Sequence, residues 1–379
     1  MFRLLKHVPP SWRAALARRL PRSLHDTYVF VRDRARGDIK RDLELDIDAD
    51  LDLVIEPGRG YDLVLLCPNY PSETDAQSNG GEFVRTRVGA YCKHGLNVLV
   101  VEVSTRNTTL VIEQHAAHPV VRLHPRRLDE LLGAVANACR TVAVHVVTPA
   151  TAEALARHIA PQRVAYFFHG SEIRDYRRLY FNYDTADMET HRRARDATHA
   201  ARMETARKLI GDGRSAMVFV SRYLQSMAER DTGLPIPQAT VIPNFIDSDF
   251  YVYRAKLAND ARRVLLIRSF DAANYAADIA VDAIVHMLQS PLGESLHFTV
   301  CGFGRHFRRL TLPLTGYRNV TLREGVLSRD EMRILHAHHG IFLAPSRHDT
   351  QGVTMCEAMA SGLVPVTHRV GGIPEFVDP

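Results

Sequence analysis

Gly340-Ile341-Phe342-Leu343-Ala344-Pro345-Ser346-Arg347-His348-Asp349-Thr350-Gln351-Gly352-Val353-Thr354-Met355-Cys356-Glu357-Ala358-Met359-Ala360-Ser361-Gly362 is the stretch whose reading decides the fold. Residues 340–346 are an apolar run of strand length, 347–352 are polar, and 353–361 carry the small and apolar residues of a buried helix. Gly362 stands where a helix C′ residue belongs, and Leu363-Val364-Pro365-Val366 opens the next strand. A strand, loop, helix and strand in that order is a βαβ unit of a parallel sheet. The first-turn N–H groups near Gly352, Val353 and Thr354 lack intrahelical acceptors and favour an anion such as a diphosphate, with Gly352 allowing a close backbone approach. Glu357 interrupts the apolar helix. A buried carboxylate needs hydrogen-bond donors, and two ribose hydroxyls satisfy both its oxygens; the alternative is a glutamate on a solvated helix face.

The same alternation of short β-branched runs and helical stretches extends back to Tyr61. A first series of strands is predicted at residues 62–67, 97–103, 142–147, 164–168 and 217–221, with helices at 82–94, 128–140 and 187–210. A second has strands at 264–267, 296–301, 320–322, 341–344 and 363–366, with helices at 278–289 and 329–338. Pro235, Pro237 and Pro243 punctuate the join. The division is therefore a basic N-terminal extension (1–60), a Rossmann-like domain (61–245) and a second Rossmann-like domain (246–379). In paired open parallel sheets ligands bind beyond the carboxyl ends of the strands, so the chemistry belongs in the strand-to-helix loops.

Composition bounds the function class. With 379 residues, 46% apolar and 24% charged, the chain is long enough for two domains. It has no apolar run of about 18 residues and no signal-peptide start, so the expected location is cytoplasmic. Cys67, Cys92, Cys139, Cys301 and Cys356 are an odd, scattered set read as reduced thiols. The net charge of +5 is local: residues 1–41 hold eleven Lys/Arg against three Asp. Trp12, Leu16 and Leu20 recur there at helical spacing beside Arg13, Arg18 and Arg19, which suits either peripheral contact with an anionic inner-membrane face or a solvated extension. No aromatic interleaving or fold signature points to nucleic acid.

Pro345-Ser346, Asp349, Gly352, Glu357-Ala358-Met359-Ala360-Ser361-Gly362, Pro365-Val366 and Gly371-Gly372-Ile373-Pro374-Glu375 resemble the donor-binding segment of glycosyltransferase family 4. Val241-Ile242-Pro243-Asn244-Phe245-Ile246-Asp247 is similar to its inter-domain stretch, and Val218-Phe219-Val220-Ser221-Arg222 to the strand before it. The likeness spans residues 61–377. It implies an α/β protein of GT-B architecture, with two Rossmann-like domains facing across a cleft. It implies a retaining, metal-independent hexosyltransferase that moves a sugar from a UDP- or GDP-linked donor to a glycan or lipid-linked acceptor. Glu357 takes the place of the family's ribose-binding carboxylate, and Asp349, one methylene shorter than the usual glutamate, that of the carboxylate holding the donor sugar. Arg268 matches the diphosphate-binding arginine, whereas Ser269-Phe270-Asp271-Ala272-Ala273-Asn274-Tyr275 lacks the lysine that follows it in the family. His169, in Phe168-His169-Gly170-Ser171-Glu172, matches a histidine approaching the donor sugar, and Gly80-Gly81-Glu82-Phe83-Val84 a glycine loop near diphosphate and acceptor. The family continues beyond the elements that end here, so the second domain is expected to be incomplete.

Two other readings stand beside this one. A non-catalytic nucleotide-sugar-binding protein agrees with Asp349 and the missing lysine. A dinucleotide-dependent oxidoreductase agrees with Gly302-Phe303-Gly304, although Phe307 occupies the place of the third glycine. The alternating Asp46, Asp48, Asp50 and Asp52 fit a solvated edge better than a metal-binding D-x-D. His336 and His339 share a helix face without a third metal ligand.

Overall fold

The computed structural model describes residues 60–72, 81–115 and 117–378. The basic extension up to residue 59, the aspartates at 46–52 and Gly80 lie outside the described residues. Eight strands form the first sheet: β1 (Tyr61–Cys67), β2 (Val98–Val103), β3 (Val111–His115), β4 (His118–Leu123), β5 (Cys139–His145), β6 (Val164–Phe168), β7 (Ala216–Phe219) and β8 (Ala239–Val241), in the order β3-β4-β2-β1-β5-β6-β7-β8. All pairs are parallel except β3 with β4. The second sheet holds β9 (Arg263–Ser269), β10 (His297–Phe303), β11 (Val320–Glu324), β12 (Ile341–Ala344) and β13 (Val364–Thr367), all parallel, in the order β11-β10-β9-β12-β13.

Helices α1 (Glu82–Lys93), α2 (Leu128–Val135), α3 (Pro149–His158), α4 (Thr185–Asp212) and α5 (Arg222–Thr232) accompany the first sheet. The second has α6 (Ala277–Leu288), α7 (Phe307–Thr311), α8 (Arg329–Ala337) and α9 (Val353–Ala360). Central strands read as unbroken apolar runs because both faces are covered. In β1, Val64 and Leu66 pack into one core while Leu63, Leu65 and Cys67 pack into the other. Around β9, Val264 and Leu266 face one core and Leu265 the opposite one.

Strand order reverses at β1/β5 in the first sheet and at β9/β12 in the second, and at such switch points the loops part to leave a crevice. Arg268 ends β9, and the 345–352 loop follows β12.

Several elements differ from the sequence reading. The helix expected to run to residue 140 stops at Val135, because Cys139 pairs with Tyr61 in the sheet. The β3–β4 hairpin was not anticipated, since Pro119 breaks a strand pattern. Here Pro119 faces Gln114 of β3, and pairing with β2 begins only at Val120, so the missing donor costs the central ladder nothing. Helix α5 also went unread; Ser221 caps it, its side chain accepting from Leu224 N–H at 3.2 Å.

Candidate functional site

The loop between β12 and α9 is fixed from several sides. Arg347 forms a bidentate pair with Asp278, 2.7 Å to each oxygen, and its N–H donates to Asn274 O. Gly371 and Gly372 lie directly behind the loop. A Cβ on either would sit 2.1 Å from the carbonyl oxygen of Asp349 or Thr350, and Gly372 N–H donates to Asp349 O at 2.9 Å. Three ties cross to the first sheet's side. Thr350 Oγ1 donates to His169 O (3.1 Å), and the Gln351 amide brackets the backbone of Asn244, accepting from its N–H at 2.7 Å and donating to its carbonyl at 3.0 Å. The third is Glu375, whose carboxylate accepts from Arg222 N–H (2.8 Å) and Tyr223 N–H (2.7 Å) at the start of α5.

These constraints present a short list of unsatisfied polar groups. Arg268 is buried, and among the described residues its Nε has no partner and its one hydrogen bond is a 3.4 Å contact from Nη2 to Ser346 Oγ. Burial lowers its pKa, while Asp349, the nearest opposing charge, pulls the other way. Val353 and Thr354 N–H have no acceptor among the described residues, as the opening turn of a helix predicts. The expectation of a third free N–H at Gly352 needs correction. Gly352 takes φ 75°, and its N–H donates to Asp349 Oδ1 at 2.9 Å. Gln351 N–H donates to the same oxygen at 3.1 Å. The shorter aspartate side chain thus folds back on its own loop, leaving Oδ2 as the atom of Asp349 open to a ligand.

Glu357 lies on α9, partly buried, and its carboxylate has no hydrogen-bond partner among the described residues. Burial pushes its pKa up to about 8, Glu82 adding to the rise and Arg329 opposing it. Arg329 cannot neutralise it fully, being already 3.3 Å from both Glu82 and Asp247 and lying over the Phe250 ring at 4.1 Å. Glu82 and Asp247 stood in motif stretches of the sequence, but nothing there linked them to Arg329 or Glu357, because that proximity is set by how α1, α8 and the connecting segment pack.

On the opposite wall stands His169, just after β6. Its Nε2 is 2.9 Å from His145 Nδ1, and the two rings stack at 5.1 Å with Phe83 4.6 Å from His169. Burial lowers the His169 pKa to about 3 and holds His145 far below its ordinary value, so the pair is neutral. His145 was not anticipated; as the last residue of a buried strand it reads like core. Glu172 accepts from the His169 and Gly170 N–H groups and fixes that turn. Gly81 is the N-cap of α1, its carbonyl accepting from Val84 and Arg85 N–H. Arg87 donates to Pro243 O at 2.7 Å and stacks on Phe167.

The remaining sequence candidates resolve into structure. His336 bonds Ser361 Oγ, and His339 bonds Leu335 O and Thr299 Oγ1. No group of three or more His, Cys, Asp or Glu residues suited to a metal occurs among the described residues. Phe307 fills the third position of the glycine motif by packing edge-on to Phe270 at 4.8 Å. All five cysteines are free thiols. Among the described residues no helix is long and apolar enough to cross a membrane.

Two sheet units thus face each other, with the start of α9 at the second sheet's switch point. Residues 261–379, which contain all of β9–β13, match the family profile described as Glycosyl transferases group 1. A 53-residue stretch is 42% identical to the sulfoquinovosyl transferase of Arabidopsis thaliana, spanning 14% of this chain and 10% of that protein. The whole fold is similar to a sucrose-phosphate synthase from Thermosynechococcus elongatus (TM-score 0.60, 16% identity, 83% of this chain and 84% of that chain). It is similar also to WaaG, a glycosyltransferase involved in lipopolysaccharide biosynthesis (TM-score 0.57, 14% identity, 83% of each chain). A further likeness is to an E. coli trehalose-6-phosphate structure bound with UDP-2-fluoro glucose (TM-score 0.56, 9% identity, 83% and 85%). The fold is GT-B.

Proposed function

We propose that this chain is a group 1 glycosyltransferase that binds a nucleotide-sugar donor in the cleft and transfers its sugar with retention to a glycan or lipid-linked acceptor. The observation that carries the reading is the buried Arg268 guanidinium, unpaired at Nε among the described residues, placed at the switch point against Ser346 and Asp349 of the loop that leads into α9. A buried cation with so few partners is poised for an anion. In this reading the donor diphosphate accepts from Arg268 and the N–H groups of Val353 and Thr354, its ribose hydroxyls donate to Glu357, and Asp349 Oδ2 with His169 holds the sugar. As the bond from the anomeric carbon to the phosphate oxygen breaks, the electron pair passes to the nucleoside diphosphate, where Arg268 and the helix start stabilise it. The acceptor oxygen bonds the anomeric carbon from the leaving-group side, and its proton goes to the departing phosphate. Charge neutralisation by protein groups makes the reaction metal-independent.

The test is incubation with a panel of UDP- and GDP-linked hexoses and a range of acceptors, with and without EDTA, reading product anomeric configuration by NMR. The α-configured product from an α-linked donor, formed equally with EDTA, is expected. Donor that binds without any turnover would replace this reading with a non-catalytic sugar-nucleotide binder.

A further inference from the structure

Between the 171–183 segment and α4 lies a cavity of about 270 Å³ that the donor site does not use. Arg174, Arg195 and Arg202 converge on it, Tyr176 and Tyr183 form its walls, and no carboxylate lines it. Arg174 is the least satisfied cation in this part of the chain. It makes no hydrogen bond or ion pair among the described residues, and its Nε is shielded from water. Arg195 has one bond, to Asp187 at 2.7 Å; its guanidinium lies 4.0 Å over the Tyr183 ring and its Nε has no partner. Arg202 has a single contact, Nη1 to Ser171 O at 3.1 Å. The neighbouring acids lie outside the lining and have other partners: Glu172, which attracts Arg174, accepts from His169 and Gly170 N–H, Asp196 accepts from Tyr176 Oη at 2.8 Å, and Asp175 lies beside Arg177 and His199.

The cavity adjoins the donor wall. Arg174 Nη1 lies 3.1 Å from where a Cβ on Gly170 would stand, and Thr350 Cγ2 lies 3.5 Å from the same point. His169 and Thr350 are therefore one step from the cation cluster. At about 270 Å³ the cavity falls just under the roughly 300–1,000 Å³ of drug-sized ligand pockets, which restricts it to a small group of monosaccharide size.

We propose that this cavity binds a phosphomonoester carried by the acceptor, the three guanidiniums taking the phosphate and the tyrosine faces flanking the attached group. Guanidinium forks match phosphate oxygens in geometry and charge, and three of them without a lining carboxylate select a dianion over a neutral hydroxyl compound. The acceptor role rests on the reading of the cleft as a nucleotide-sugar site.

The experiment is calorimetric titration of the full chain with glucose 6-phosphate and with glucose, alongside UDP and GDP as probes of the donor cleft. Co-sedimentation with phosphatidate-containing vesicles distinguishes a lipid-borne phosphate from a soluble one. Glucose 6-phosphate or phosphatidate is expected to bind at least tenfold more tightly than glucose or neutral vesicles. Arg195→Gln/Arg202→Gln is expected to weaken that binding at least tenfold while UDP or GDP affinity stays unchanged. Thr198→Glu places a carboxylate on the exposed lining and is expected to do the same without removing Arg195 from its partners, so a folding defect in the double variant leaves the test intact. Equal binding of glucose 6-phosphate and glucose with no vesicle capture, or binding untouched in both variants, overturns the proposal. Absence of both UDP and GDP binding in the wild type instead sinks the donor reading and the acceptor role with it.

Discussion

Arg268→Met separates a functional cation from a structural one. Methionine keeps most of the buried volume and removes the charge, and the sole hydrogen bond lost is the 3.4 Å contact to Ser346. Charge-assisted hydrogen bonds contribute about 1.5–3 kcal/mol each. At about 1.4 kcal/mol per decade, losing one such bond to a diphosphate weakens UDP binding roughly 10- to 150-fold. Without ligand the sign reverses. Desolvating a cation costs several kcal/mol, and here Asp349 offsets part of it, so a net gain of about 1 kcal/mol is expected in the variant. In a chain of this size that is a rise of roughly 1–2 °C in Tm. Thermal unfolding with and without UDP reads both effects: the variant melts higher alone and loses the ligand-induced shift. A variant that melts well below wild type, or that binds UDP as tightly, would refute the assignment of Arg268 as an anion site held at a stability cost.

Other consequences follow from named contacts. Glu357 is mostly protonated near neutrality because its pKa stands at about 8 rather than 4.5. Since ribose hydroxyls donate to the carboxylate form, UDP affinity should climb as pH rises from 6 to about 8 and then level, with a proton released on binding; Glu357→Gln should abolish the slope. The same shift makes the folded state hold a proton that the unfolded chain gives up. This contribution to stability is full below about 4.5 and is lost as pH rises through about 8, so the wild-type-minus-Gln stability difference should decline over that window. Glu375→Ala removes the carboxylate from the start of α5 and should lower stability by about 1–2 kcal/mol, read from the urea midpoint; an unchanged midpoint would discount that tie. His145→Phe keeps the stack on Phe167 but loses the bond to His169, and should slow transfer by a few-fold to about tenfold with UDP affinity intact; a change in UDP binding instead would place His145 elsewhere.

The βαβ frame was legible because parallel strands buried on both faces announce themselves as apolar runs; residues 164–168 and 341–344 are strands with the bounds the pattern gave. Arg268, Asp349 and Gly352 come together because the end of β9 and the loop after β12 converge at a switch point, a property of the fold class. Legibility failed where partners are distant in sequence. Arg329 reaches Glu82 across 247 positions and His145 meets His169 across 24, and neither pairing leaves a local pattern. The fate of the Gly352 N–H was also hidden, because the reach of an aspartate in place of a glutamate shows only once the loop is folded. Glu375 looked like part of a motif, yet its work is to cap a helix of the first sheet's unit.

The central claim is that the start of α9, Arg268 and Glu357 form one nucleotide-diphosphate site. Calorimetric titration of UDP and GDP into wild type, Arg268→Met and Glu357→Gln tests it most directly. Saturable one-to-one binding of at least one nucleotide to wild type, weakened at least tenfold in each variant while both remain folded, is the predicted result. No binding of either nucleotide to folded wild type, or equal binding by all three proteins, would contradict it.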